Sequence, residues 1–205
     1  GLALADFFFQ AWTDFETMAP NHPDATQRDD SMALFRDMLE LARRLRTPGI
    51  TILPGLRFGD EPHDQAIRRS AEALKPRVDE AARHGISLSI EGHVGSVVDT
   101  PEKLTRLIEL TPGLLLTLDY THFTYAGIPD SEVELLLAHA RHFHCRGASI
   151  GRLQTSFKEN TIDYRRVIQR MQEVGYRGYF GIEYVWQDWQ GCNQNENTCE
   201  TLILS

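Results

Sequence analysis

The chain has 205 residues, 41% of them apolar, with 21 Lys and Arg against 29 Asp and Glu for a formal net charge of −8. A chain of this size and composition buries its own core without a disulfide framework or a structural metal. Its acidic balance leaves no footprint for a phosphodiester backbone, and no apolar run approaches the roughly 20 residues that cross a bilayer, so neither nucleic acid nor membrane is expected as a partner.

In chain order, residues 2–9 read as a strand and residues 21–27 as a polar loop. Leu34, Met38, Leu41 and Leu45, with Phe35, Leu39 and Ala42 beside them, recur at 3.6 spacing and predict a helix over residues 30–46, ended by Pro48-Gly49. Residues 50–53 form a short apolar run. Ile67, Ala71, Leu74, Val78 and Ala82 predict a second helix ending at Gly85, which Pro76 should kink or split. Residues 86–90 follow as a strand, Thr100 as an N-cap with Pro101 in the first turn, and residues 104–110 as a helix. Then come an apolar run at 114–118, a short helix at 131–141, a strand at 142–145, a helix at 163–174 closed by Gly175, and a strand at 179–184.

Strands that are apolar throughout and alternate with helices are buried on both faces, the signature of a parallel sheet of βα units, so the fold class is α/β. The strand signals number six. A closed (β/α)₈ barrel has eight strands and typically about 250 residues, which leaves an incomplete barrel or an open sheet. No linker or low-complexity tract interrupts the alternation, and residues 1–205 are expected to form a single domain.

The chemistry is written where strands end. Four successive strands run into Glu91, Asp119, His144 and Glu183, separated by 28, 25 and 39 residues, about one βα repeat each. In an α/β barrel such carboxyl ends meet at one mouth. Three carboxylates and an imidazole gathered there repel one another unless a cation sits among them, and an oxygen-rich set with one nitrogen suits Mn²⁺, Mg²⁺ or Co²⁺, with Zn²⁺ a further option. Taken singly, each could instead cap the helix that follows. Cys145, Cys192 and Cys199 form no CxxC pair, and a reducing cytoplasm is the expected compartment. Cys145 follows His144 in the same strand and should point to the opposite face as a small core residue.

These segments resemble the xylose isomerase-like TIM-barrel family of sugar phosphate isomerases and epimerases. The resemblance rests on Ile90-Glu91-Gly92-His93, Leu118-Asp119-Tyr120-Thr121-His122-Phe123, His142-Phe143-His144, and the closing stretch from Asn160 through Gly175-Tyr176-Arg177-Gly178-Tyr179 to Glu183. It implies a (β/α) TIM barrel lacking its first two βα units, with Glu91, Asp119, His144 and Glu183 as metal ligands and His122 as a substrate contact. It also implies a divalent-metal-dependent isomerase or epimerase of a small sugar or sugar phosphate, working by proton transfer through an enediolate, with Glu91 and Glu183 moving the proton. A dehydratase of a polyhydroxy ring ketone shares the same first step. An apurinic endonuclease would need more ligands and a basic groove; a non-catalytic sugar-binding barrel is the reading outside catalysis. Where the epimerase branch carries an Arg six positions past the metal His this chain has Ile150, so a basic substrate contact falls to Arg146 or Arg152 or is absent. His93 either faces substrate or is a solvated loop residue, and Trp186 and Trp189 either wall the sugar pocket or serve packing. Open sheet edges would leave a homodimer as an option.

Overall fold

The computed structural model describes residues 2–193. It contains β1 (Phe7–Phe9), α1 (Ala25–Leu45), β2 (Gly49–Ile52), α2 (His63–Arg83), β3 (Ser87–Ile90), α3 (Pro101–Leu110) and β4 (Leu115–Asp119). After these come α4 (Tyr120–Tyr125), α5 (Asp130–Val133), β5 (Ala140–Cys145), β6 (Gly147–Ser149), β7 (Arg152–Thr155), α6 (Tyr164–Glu173) and β8 (Tyr179–Ile182). The main sheet has six parallel strands in the order β1-β2-β3-β4-β5-β8, successive strands of a (β/α) barrel, as the alternation of apolar runs predicts. Strands β6 and β7 form a separate antiparallel pair. No helix among the described residues is long and apolar enough to cross a membrane.

Several boundaries differ from the sequence expectation for physical reasons. Residues 2–6 stay out of the sheet: β1 pairs with β2 only from Phe7↔Ile50 to Phe9↔Ile52. Helix α1 starts at Ala25, inside the expected polar loop, because the Asp24 carboxylate accepts from the Thr26 amide at 2.7 Å and caps it. Its buried stripe is Ser31, Phe35, Leu39 and Ala42, while Leu41 and Leu45 lie in solvent. Helix α2 runs through Pro76 without a break. Pro76 sits on the exposed face, where water can satisfy the carbonyl its missing N–H leaves open. The expected helix at 131–141 is one α-turn followed by a 3₁₀ segment, and Arg141 already belongs to β5.

The backbone falls into two compact units, one ending at Thr117 and one beginning at Leu118, so β4 starts in the first and finishes in the second. In the first, β2 and β3 pair in register from Gly49↔Ser87 to Ile52↔Ile90. Strand β3 pairs with β4 at Ser89↔Leu115 and Ile90↔Leu116. One face of these strands is apolar, with Ile50, Ile52, Leu88, Ile90 and Leu116 all buried. The other carries Thr51, Ser89 and Thr117, and Thr51 Oγ1 lies 2.5 Å from Thr117 Oγ1 and donates to Asp6. The strands are therefore not apolar throughout. Small hydroxyl side chains line the second face, where Thr51 is satisfied by Thr117 and Asp6.

The loop after β2 is pinned by a cluster of polar contacts. Asn21, fully buried, accepts from the Leu56 amide at 3.1 Å and donates to the Leu56 carbonyl at 2.7 Å. Its side chain fills the space a Cβ on Gly55 would need, and Gly55 holds φ +97°. Arg69 donates to the Asn21 carbonyl and makes two bonds to Glu61, whose carboxylate also accepts from the Phe58 amide at 2.8 Å. Hydrogen bonding from Arg69, reinforced by the Phe58 amide, holds the Glu61 carboxyl below its usual 4.5. A depressed pKa contributes stability that is complete above the unfolded value and disappears as pH falls through the folded one. Glu61→Gln should therefore cost roughly 1–3 kcal/mol at neutral pH. Urea unfolding followed from pH 7 to 3 should show the gap between wild type and variant closing below about 4.5; a gap independent of pH would refute the pairing.

Candidate metal centre

The second unit gathers three of the four strand-end residues. Asp119 closes β4 and caps α4, its Oδ1 accepting from the Thr121 amide at 2.9 Å and from Thr121 Oγ1 at 2.6 Å. Its Oδ2 accepts from Arg146 Nη2 at 2.7 Å and lies 3.4 Å from His122 Nε2. His144 and His142 share one side of β5, with ring centroids 5.1 Å apart. His144 Nδ1 is 3.3 Å from Glu183 Oε2, and Arg146 Nη1 is 3.7 Å from the same oxygen. Glu183 is fixed at its backbone too, since its amide donates to the Cys145 carbonyl at 3.0 Å. Asp119 and His144 are buried; the Glu183 side chain keeps 29% of its surface.

One donor atom from each of Asp119, His144 and Glu183 lies within 4.8 Å of the others. Two ligands on opposite sides of an ion, each at about 2.2 Å, stand about 4.4 Å apart, so a small adjustment lets one divalent ion bind all three. Two carboxylate oxygens and one imidazole nitrogen form a hard, oxygen-rich set. The site also contains a cation of its own. The Arg146 guanidinium, 3% exposed, bridges Asp119 and approaches Glu183 while its Nε donates to Thr121 Oγ1 at 3.2 Å. Its backbone is held as well, because Tyr164 Oη donates to the Arg146 carbonyl at 2.6 Å. Burial keeps the Tyr164 phenol protonated far above its usual range.

The remaining sequence-derived residues are placed as follows. Glu91 leaves β3 in the first unit, buried, and its amide donates to the Ile52 carbonyl at 3.2 Å. Ile90 is level with Leu116, so Glu91 continues beside Thr117. His93 is buried with its ring 4.5 Å from that of Phe15, and is not a solvated loop residue. Arg152 stands on the β6–β7 hairpin in an exposed pair with Glu159 at 3.0 Å. Trp186 is 68% exposed, whereas the Trp189 ring lies 6.1 Å from that of His122. Sequence reasoning passed over Thr121, Tyr164 and the hairpin. Gly147 begins that hairpin because a Cβ there would lie 2.5 Å from the Thr155 carbonyl oxygen.

Cys145 and Cys192 are buried and unpaired, and Cys199 lies outside the described residues. Burial pushes the Cys145 thiol up to about 12, so almost none is thiolate at neutral pH. Peptide mapping after treatment with a water-soluble maleimide should find Cys145 unmodified in the native chain and labelled in urea. Rapid native labelling would contradict the burial.

A family model described as xylose isomerase-like TIM barrel matches residues 4–202. The rhizopine catabolism protein MocC of Rhizobium meliloti is 28% identical over 126 residues, half of this chain and 38% of that protein. The chain spans 38% and 55% of the two curated relatives it matches. A xylose isomerase-like TIM-barrel protein of Mycobacterium smegmatis, solved with magnesium, superposes with TM-score 0.69 at 20% identity, covering 94% of this chain and 70% of that one. D-psicose 3-epimerase of Clostridium cellulolyticum H10, solved with D-tagatose, gives TM-score 0.71 at 15% identity, covering 87% and 65%. At such identities the structural likenesses are likenesses of fold.

Proposed function

Because the chain belongs to the xylose isomerase-like TIM-barrel family, we propose that it is a divalent-metal-dependent isomerase or epimerase of a small sugar or sugar phosphate. The observation that supports this reading is the clustering of donor atoms of Asp119, His144 and Glu183 within 4.8 Å of one another. In the proposal Glu91 is the fourth ligand, and the ion is Mn²⁺, Mg²⁺ or Co²⁺, with Zn²⁺ also compatible with the donors. When bound, the ion supplies Lewis acidity that polarises a carbonyl and acidifies the neighbouring C–H. Glu183 and Glu91 take that proton from one face and return it to the other.

His122 and His93 hold substrate oxygens. Arg146 is the basic contact in preference to Arg152, since its guanidinium lies among the ligand carboxylates while that of Arg152 is paired with Glu159. Trp189, with Trp186 beyond it, forms the apolar wall. The cytoplasm is the proposed compartment, and sedimentation of the purified chain decides the homodimer.

The test is solvent exchange. The chain is incubated with Mn²⁺ in D₂O and a panel of free and phosphorylated ketoses and ring polyol ketones, and deuterium is located by NMR. Incorporation beside the carbonyl with an epimer or aldose as product is the expected result. Loss of water from a ring ketone would move the assignment to a dehydratase, and no exchange with any substrate or ion would overturn it.

A further inference from the structure

In the first unit, a cavity of about 40 Å³ lies between the segment 10–20 and helices α1 and α2. Arg77 reaches it from the middle of α2 and is only 3% exposed. Its Nη1 donates to the Ala73 carbonyl of its own helix at 2.7 Å and its Nη2 to Ser31 Oγ at 3.0 Å. The guanidinium lies 5.8 Å from the centroid of the Phe35 ring. A guanidinium has five N–H donors, so three are left without a protein acceptor. No carboxylate among the described residues pairs with Arg77; the charge that acts on it is Arg36, of the same sign. Asp14 also lines the cavity, but its oxygens are committed to the turn beneath it, accepting from the Glu16 amide at 2.9 Å and the Thr17 amide at 2.6 Å.

A buried cation without a counter-charge is a costly arrangement, and an arginine cannot relieve it by losing its proton at neutral pH. Burial lowers Arg77 to about 10, which still leaves it charged. What is missing is an anion, and the cavity limits which one. Phe9, Phe15, Met18, Phe35, Ile52 and Leu56 form its apolar walls; Gln10, Asp14, Thr17 and His93 also line it, and Arg77 with Ser31 supplies the guanidinium end. A single buried cation balances one negative charge, and a phosphate dianion would bring a second into a cavity that the Asp14 carboxylate already lines. A water-sized site takes about 10–15 Å³, so the volume admits a group of a few heavy atoms.

We propose that this cavity binds a small aliphatic monocarboxylate, its carboxylate held by Arg77 and Ser31 and its short alkyl chain against the aromatic walls. A planar carboxylate matches the arginine fork, and Ser31 Oγ, which already accepts from Arg77, has its own proton to donate to the ligand. The inference does not rest on the reaction proposed above: neither Arg77 nor Ser31 nor the apolar walls have a role in it, and of the residues proposed to hold that substrate only His93 also lines this cavity.

The test is a titration of the full chain, labelled with ¹⁵N-arginine, with sodium propionate against sodium chloride at equal ionic strength. The Arg77 Nε–H resonance, assigned through its contacts with the Phe35 ring protons, should shift saturably with propionate and not with chloride. The thermal midpoint should rise with propionate in the wild type, and Arg77→Met should lose that rise and weaken propionate binding by about tenfold or more. A static Arg77 resonance, an equal response to chloride, or an undiminished rise in R77M overturns the proposal. Should R77M fail to fold, the wild-type resonance decides alone.

Discussion

Glu183→Gln is expected to lower exchange of the substrate proton with solvent by about 10²–10⁴-fold while leaving substrate binding little changed. The substitution keeps the size of the side chain and one oxygen, and removes the basic carboxylate. The backbone of residue 183 stays in place because its amide bonds the Cys145 carbonyl, and His144 and Arg146 still face the head group. A loss confined to kcat would therefore report the missing base, whereas loss of Mn²⁺ binding, followed separately by calorimetry, would report a ligand role. Glu91→Gln is the paired measurement, and for an epimerisation with one carboxylate on each face the two variants should block exchange in opposite directions. Deuterium incorporation at the wild-type rate in Glu183→Gln would remove this residue from the proton transfer.

The strand framework was legible because each strand is a short apolar run closed by turn residues, and runs of this kind stand out against the helical stripes between them. The internal alternation was hidden. Thr51, Ser89 and Thr117 are small enough that a run containing them still reads as apolar, yet they make one face of the strands hydroxyl-lined. Strands β6 and β7, with three and four residues, are too short to show a period, and the helix α4 follows β4 with no intervening loop to announce it.

At the site, the strand-end positions of Asp119, His144 and Glu183 could be read directly. That Arg146 lies beside His144 was also within reach, since it is two residues past it and shares its side of the chain. Thr121 had a signal of its own: an Asp two residues before a Thr at a helix start is a capping pattern. Arg77 had one too, as its spacing from Ala66, Ser70 and Leu74 puts it in the buried stripe of α2. What no periodicity supplies is the partner of a buried charge, which depends on residues distant in sequence.

Phe143→Ala is expected to destabilise the chain by about 3–5 kcal/mol, the range for deleting a fully buried aromatic side chain. Phe143 has no exposed surface. Its ring stacks on Phe180 with centroids 4.9 Å apart, and lies 6.4 Å from Tyr120 and 6.5 Å from Tyr164. Truncation therefore removes one member of an aromatic group whose other members come from α4, α6 and β8, and leaves a void that those elements can close only by moving. Against a total of about 5–15 kcal/mol for a typical domain this is a large fraction, worth a fall in the thermal midpoint of the order of 10 °C. Phe143→Leu, which keeps most of the volume, should cost about 1.5 kcal/mol or less. Trp186→Ala, at a side chain 68% exposed, should stay within about 0.5 kcal/mol of wild type. Urea unfolding of the three variants separates packing from mere loss of an aromatic. Were Phe143→Ala to unfold no earlier than Trp186→Ala, the aromatic group would not be the core of the second unit.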